Sequence, residues 1–233
     1  LDAPIDSAPL CRRVTPGSTV ALVVSDMSRF WMRQDLVVPH LVDYLTQRCG
    51  VRERDITIVI ANGTHTGGDE AELRTLVTDA VYDRITVENH DCESEDLVYL
   101  GTTPHGTPVS INRTAALADM VICLGAATHH VMAGYGGGRK SILPGISSRE
   151  TIFHNHAFSL DAAVLRSNPA VGNGILQGNP LHEDMCEAAG LVKNLFMVNL
   201  VMNTQMRLAA IFSGHYLTSW EQACRTVNRI YQV

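Results

Sequence analysis

Short runs of apolar residues alternate along this chain with stretches whose apolar positions recur at a helical period, the pattern of a βαβ protein. TVALVVSD (19–26) is apolar at successive positions and predicts a strand buried on both faces. DLVVPHLVDYLTQRCG (35–50) predicts a helix with Asp35 as its cap, Pro39 near its first turn and Gly50 at its stop. A second strand, DITIVIANGTH (55–65), runs out into a polar loop. A helix with acids in its first turn follows in GDEAELRTLV (68–77), then a short third strand in ITVEN (85–89). LVYLGTTPHGTPVSI (97–111) predicts a hairpin through Pro104 to Gly106, and ADMVICLGA (118–126) a further buried strand.

Beyond a glycine-rich segment, SSRETIFHNH (147–156) predicts a helix starting on Ser147 or Ser148. SNPAVGNGILQGNP (167–180) breaks the pattern and predicts a long surface loop. A helix (181–189), the strands NLFMVNLVMN and RLAAIFSG, and a last helix opened by a capping box from Thr218 to Glu221 and running to Val233 complete the chain. This order predicts an α/β fold: a mostly parallel, Rossmann-like sheet with flanking helices and a ligand crevice at the carboxyl ends of its strands.

With 18 Lys and Arg against 24 Asp and Glu, a net charge of -6 and no cationic run, the chain lacks the basic stripe of a nucleic-acid binder. No apolar stretch reaches membrane-spanning length and the opening LDAPIDSAPLCRR has no signal-peptide pattern, so a cytoplasmic protein is expected. The six cysteines (Cys11, Cys49, Cys92, Cys123, Cys186 and Cys224) have no CxxC or Cys-His metal spacing and are expected to be reduced, mostly buried thiols.

The polar residues change the picture more. Asp26 and Arg29 follow the first strand, His65 the second, and His129 and His130 the strand at 118–126, all at the edge where an open sheet binds ligands. GYGGGRKS (134–141) has the look of a phosphate loop. A Walker A loop, however, has glycine directly before its Lys-Ser/Thr, and here that position is Arg139. A glycine turn ending in Lys140 with histidines at its mouth predicts a catalytic site on an anion-binding platform. His129 is read as packing or orienting His130, and Trp31 as a core or interface residue.

HHVMAGYGGGRKSILPG and RETIFHNH, with SDMSR and ANGTHT upstream, resemble the lactate racemase family of nickel-pincer enzymes, in the family's order and over almost the whole chain. Two positions depart from it, Gly136 where the family has Ser and Ser28 where it has Thr. The resemblance implies a racemase or epimerase of small-molecule 2-hydroxy acids. Its cofactor would be a nickel-pincer nucleotide, a pyridinium-3-thioamide-5-thiocarboxylic acid mononucleotide carrying nickel, supplied by separate biosynthetic enzymes. It implies that Lys140 forms a thioamide link to that cofactor. Gly136, Gly137, Gly138, Arg139 and Asp26 would shape its bed, and His156 would ligate the nickel, an ion that accepts imidazole in square-planar coordination. His154 and His156 stand two apart and cannot share a helix face, so only one is expected to reach the metal. His65 and His130 would be opposing acid/base groups in proton-coupled hydride transfer, and Arg29 the bidentate clamp on the substrate carboxylate. Family members are about twice this length, so residues 1–233 are expected to be the N-terminal cofactor-binding and catalytic domain of a two-domain enzyme, without its second domain. Two other readings compete: a non-catalytic α/β phosphate- or nucleotide-binding module using 134–141, and a zinc hydrolase on His65, His130 and His156, which lacks any HExxH-like spacing.

Overall fold

The computed structural model describes residues 1–161 and 163–231. In chain order it contains α1 (Leu10–Arg13), β1 (Val20–Ser25), α2 (Val38–Asp43), β2 (Ile56–Ala61), α3 (Glu70–Val77), α4 (Asp79–Tyr82), β3 (Thr86–Asn89), β4 (Val98–Thr102), β5 (Pro108–Ile111), α5 (Arg113–Leu117) and β6 (Met120–Ala126). There follow the hairpin pair β7 (His129–His130) and β8 (Gly134–Tyr135), α6 (Arg149–Ala157), the pair β9 (Leu160–Asp161) and β10 (Arg166–Ser167), α7 (Pro180–Gly190), β11 (Leu195–Met202), β12 (Leu208–Gly214) and α8 (Thr218–Tyr231).

Six strands form one sheet in the order β12-β11-β6-β1-β2-β3. All neighbours are parallel except β12, which runs antiparallel along β11 at the edge. β1 and β6 are buried along nearly their whole lengths because both faces of the sheet are covered. The strand period divides β1 between two cores. Val20, Leu22 and Val24 pack with Leu41, Leu45, Leu73 and Leu76 on one face, whereas Ala21 and Val23 pack with Ile142, Ile146, Leu181 and Met185 on the other.

β1 and β6 are neighbours, but the chain leaves β1 toward β2 on one side and continues from β6 toward β11 on the other. The strand order therefore reverses between them, and a crevice opens above their carboxyl ends. Parallel pairing in register sets the residues after β1, β2 and β6 along that crevice.

Three local expectations are corrected. The helix expected over 35–50 is broken into a 3-10 turn (Gln34–Leu36), α2, and a π-type turn (Tyr44–Arg48) closed by Cys49 N–H on Tyr44 O. Asp35 does not cap it; its carboxylate is held by Arg33. The capping box at Thr218 does not form either, since the helix is entered through a preceding turn in which Ser219 and Glu221 N–H bond to His215 and Leu217 carbonyls, leaving the Thr218 hydroxyl without a partner. The reach of this helix to Val233 lies outside the described residues. Finally, Cys11 and Cys49 are disulfide-bonded rather than reduced, because α1 packs against the end of the π-type turn; Cys92, Cys123, Cys186 and Cys224 are free. Among the described residues no helix is long and apolar enough to cross a membrane.

Candidate active site

The crevice is a cleft of about 350 Å³ lined, among others, by Asp26, Arg29, His65, His130, Gly136, Gly137, Lys140 and His156. The strand ends thus bring together the residues singled out at this edge except His129, Gly138 and Arg139.

Asp26 ends β1 and is buried, with the 3-10 turn Met27–Met32 starting immediately after it. One carboxylate oxygen meets His65 Nδ1 at 2.5 Å, and the other accepts from Ser28 Oγ at 2.6 Å. Ser28 Oγ accepts in turn from Arg29 Nη1 at 2.9 Å. A continuous chain of hydrogen bonds therefore links Arg29 to His65. With Nδ1–H turned onto a carboxylate, His65 keeps Nε2 for other partners, the tautomer that an orienting acid imposes. Asp26, expected in the cofactor bed, lines the cleft with both carboxylate oxygens engaged by His65 and Ser28.

On the opposite wall, His130 Nδ1 accepts two backbone N–H groups, Met132 at 3.2 Å and Ala133 at 3.1 Å, so its proton sits on Nε2. Nε2 lies 2.8 Å from Lys140 Nζ. A hydrogen bond from Nε2–H requires Lys140 to be the acceptor, and only a neutral amine accepts. The electrostatics agree. Burial, with Arg139 and Arg29 nearby, pulls Lys140 down to about 7, and burial with Lys140 close by pulls His130 down to about 4.

His156 sits in the last turn of α6, a helix capped by Ser148 accepting from Thr151 N–H and tied to β5 by Thr151 Oγ1 on the Pro108 carbonyl. Its Nδ1–H bonds to Ile152 O at 2.9 Å, which leaves the Nε2 lone pair toward the cleft, and burial holds the ring below the ordinary imidazole pKa. That is the form and tautomer a metal-binding histidine needs. His154, two residues earlier, is exposed and off the cleft. A neutral amine at Lys140 and a fixed imidazole at His156 thus fit a covalently held, metal-bearing group.

Gly138 and Arg139 are corrected as cofactor contacts. Arg139 is 1% exposed and points into the protein, where Nη1 donates to Tyr135 O, Nη2 to Ala133 O and Nε to His182 Nδ1, its guanidinium 3.9 Å from the Trp220 ring. The residue that breaks the Walker pattern is a brace for the loop. Gly138 lies under the same indole, where a Cβ would fall 2.5 Å from Trp220 Cδ1. In the 134–141 loop the Tyr135, Gly136 and Lys140 N–H groups are taken by protein carbonyls.

Nor do His65, His130 and His156 converge as zinc ligands. Among the described residues the one such convergence is His105, Asp184 and Glu187, off the cleft, where Thr103, Thr107 and Asn155 already engage Asp184. His129 packs against Tyr135 with the rings tilted and bonds Asn228, as a packing residue should.

Comparison with known proteins agrees with this architecture. The family model described as the lactate racemase N-terminal domain matches residues 1–166. The chain belongs to that family. It is 30% identical to the lactate racemase of Thermoanaerobacterium thermosaccharolyticum and 29% identical to that of Lactiplantibacillus plantarum, in each case over all of this chain and 53% of the relative. The apoprotein structure of the former enzyme superposes with a TM-score of 0.89 at 29% identity, over 99% of this chain and 54% of that one. A Thermotoga maritima protein of 23% identity shares the fold with a TM-score of 0.76. The chain spans about half the length of the curated relatives it matches.

Sequence reasoning missed the aromatic residues of the cleft. Trp31, expected in the core, also lines the cleft, and Phe153 lines it with 57% of its surface exposed. The signal for Phe153 was its place one helical turn before His156.

Proposed function

We infer that this chain is the cofactor-holding half of a racemase or epimerase of 2-hydroxy acids. The observation that carries the reading is the pairing of two imidazoles in one cleft, each fixed through Nδ1, with a guanidinium joined to one through Ser28 and Asp26 and a neutral lysine amine beside the other. The C2–H of a 2-hydroxy acid is barely acidic, so inversion is easier by loss of hydride from C2 while a base takes the hydroxyl proton, which yields a planar 2-keto acid. A nickel-pincer pyridinium mononucleotide bound here would supply reversible hydride acceptance. Lys140 would hold it through a thioamide, His156 Nε2 would hold its nickel, and Gly136 and Gly137 would form the adjoining wall.

The remaining work falls to this chain's own side chains. Arg29 binds the substrate carboxylate and sets C2 between the two histidines. Asp26 keeps His65 in the tautomer whose Nε2 takes or returns the hydroxyl proton. His130 would act from the other wall once the Lys140 nitrogen is acylated and its own proton moves from Nε2 to Nδ1, an exchange in which Nδ1 gives up the Met132 and Ala133 N–H groups and Nε2 becomes the base. Proton uptake by one histidine in the forward direction becomes proton donation in the reverse. The other half of the relatives' chains is expected to cover the substrate and exclude water.

Interconversion of lactate enantiomers by cofactor-loaded protein, followed by chiral chromatography, tests this reading. His65→Ala and His130→Ala are each expected to lower kcat by about two to four orders of magnitude, in both directions together. Intact mass is expected to show an adduct that Lys140→Ala removes. Near-wild-type turnover in both histidine variants, or an adduct that survives Lys140→Ala, contradicts it.

A further inference from the structure

The carboxylate clamp and an indole come from the same short turn. Within Met27–Met32 the backbone is 3-10, so side chains three apart eclipse, and Trp31 shares a face with Ser28, whose hydroxyl receives the Arg29 guanidinium. From α6, Phe153 enters the same cleft one turn before His156. It is 57% exposed, with the Arg149 guanidinium 5.6 Å from its ring. The fold gives no reason for this exposure, since the core beneath α6 is filled by Ile152. An aromatic ring held open beside a polar site is surface waiting for an apolar partner.

The cations of the cleft narrow the choice further. Among the described residues lining it, Arg29 and Lys140 are the basic side chains besides the histidines, the first a cation assigned to the substrate carboxylate and the second a free amine assigned to the cofactor. A second carboxylate on the substrate would find no further cation among the cleft-lining residues, since Arg149 beside Phe153 is outside the lining and paired with Glu93, and it would stand against two aromatic rings, losing water without a replacement.

Resting on the reading above, we propose that the substrate is a monocarboxylic 2-hydroxy acid with a large apolar, aryl or branched-alkyl, group on C2, and that Trp31 and Phe153 are the wall that receives it. C2 is one bond from the carboxylate held by Arg29, so its substituent projects within reach of an indole two residues along the same turn. A methyl group leaves most of that wall wet; a benzyl or isobutyl group covers it.

Trp31 also reports its own occupancy. The chain has two tryptophans, and the other, Trp220, is fully buried. Quenching of cofactor-loaded protein by 3-phenyllactate, 2-hydroxyisocaproate, lactate and malate gives four dissociation constants, to be compared with kcat/KM for racemisation of the same acids. The expected result is about tenfold or greater preference for 3-phenyllactate over lactate, with malate weakest, the scale of discrimination an apolar pocket achieves. Phe153→Ala should shrink the phenyllactate-to-lactate ratio about tenfold, and Phe153→Tyr should restore it. Because Phe153 is exposed, this pair does not depend on the partly packed Trp31 tolerating replacement. Equal affinities, or preference for malate, with binding still abolished by Arg29→Ala, overturn the apolar wall and leave the clamp standing. Binding that survives Arg29→Ala overturns the clamp, and the ratio alone then judges the wall. No binding and no turnover of any of the four acids overturns both.

Discussion

At the scale of single residues, the contact between His130 Nε2 and Lys140 Nζ at 2.8 Å has the most chemical consequence. Two backbone N–H groups on Nδ1 force the imidazole proton to Nε2, and the lysine must then be the free base. With a pKa of about 7, about three-quarters of Lys140 is free amine at pH 7.5, against about one in a thousand for an ordinary lysine. The chain has one other lysine, Lys193, which is exposed, and this makes the comparison simple. Reductive methylation of the unloaded protein, read by peptide mass, is expected to modify Lys140 ahead of Lys193, with a rate that rises to a plateau through about pH 7. Lys193 reacting first, or a Lys140 rate climbing only above about pH 10, would contradict the neutral-amine assignment.

At the scale of elements, the glycine-rich loop works as a rigid support whose stiffness comes from its inward face. Arg139 ties Ala133 and Tyr135 carbonyls to His182 on α7 and lies on Trp220 of α8, so three segments meet on one guanidinium. Lysine carries the charge without the planar fork. Arg139→Lys is therefore expected to cost about 3 kcal/mol or more in urea unfolding, and to erase the early methylation of Lys140 by loosening the turn that presents it. Gly138→Ala should act through Trp220, because the new Cβ falls 2.5 Å from the indole at a backbone φ of +54. A loss of about 1–3 kcal/mol with a shifted Trp220 emission is the expected outcome. Wild-type stability in both variants would mean that the brace carries no energy.

For the whole molecule, the two cores on either side of the sheet enclose imidazoles that must stay neutral. His130 is held at about 4, and His182, which accepts from Arg139 Nε, at about 3, both chiefly by burial. In the unfolded chain each returns to about 6.5, so the unfolded state binds more protons throughout the interval between. Their contribution to stability is present above about pH 6.5 and is lost as pH falls toward 4 and 3. Once solvent screening is allowed for, each is expected to lose on the order of 1 kcal/mol by pH 5. The urea midpoint should drop between pH 7.5 and pH 5, and His182→Gln should drop less. A midpoint unchanged over that range would show that neither ring is held neutral by the fold.

The sequence by itself determined the α/β alternation, the strand limits to within a residue or two and the crevice edge, with Asp26, Arg29, His65 and His130 upon it. These features rest on local periodicity, on turn chemistry and on a parallel sheet that collects its strand ends along one edge. Tertiary structure decided the partners and the state of each of those residues. Whether Asp26 orients a histidine, whether Lys140 is charged and which way Arg139 points depend on partners 10 to 43 residues away along the chain, whereas the free nitrogens of His130 and His156 are set by backbone groups within four residues, once the loop and helix are folded. Long-range packing also set the Cys11–Cys49 bond, the break in the helix at 35–50 and the exposure of Phe153 beside the cleft. Spacing records which residues a helix or strand turns to one face. Protonation, tautomer and contact are properties of the environment that distant segments build around them.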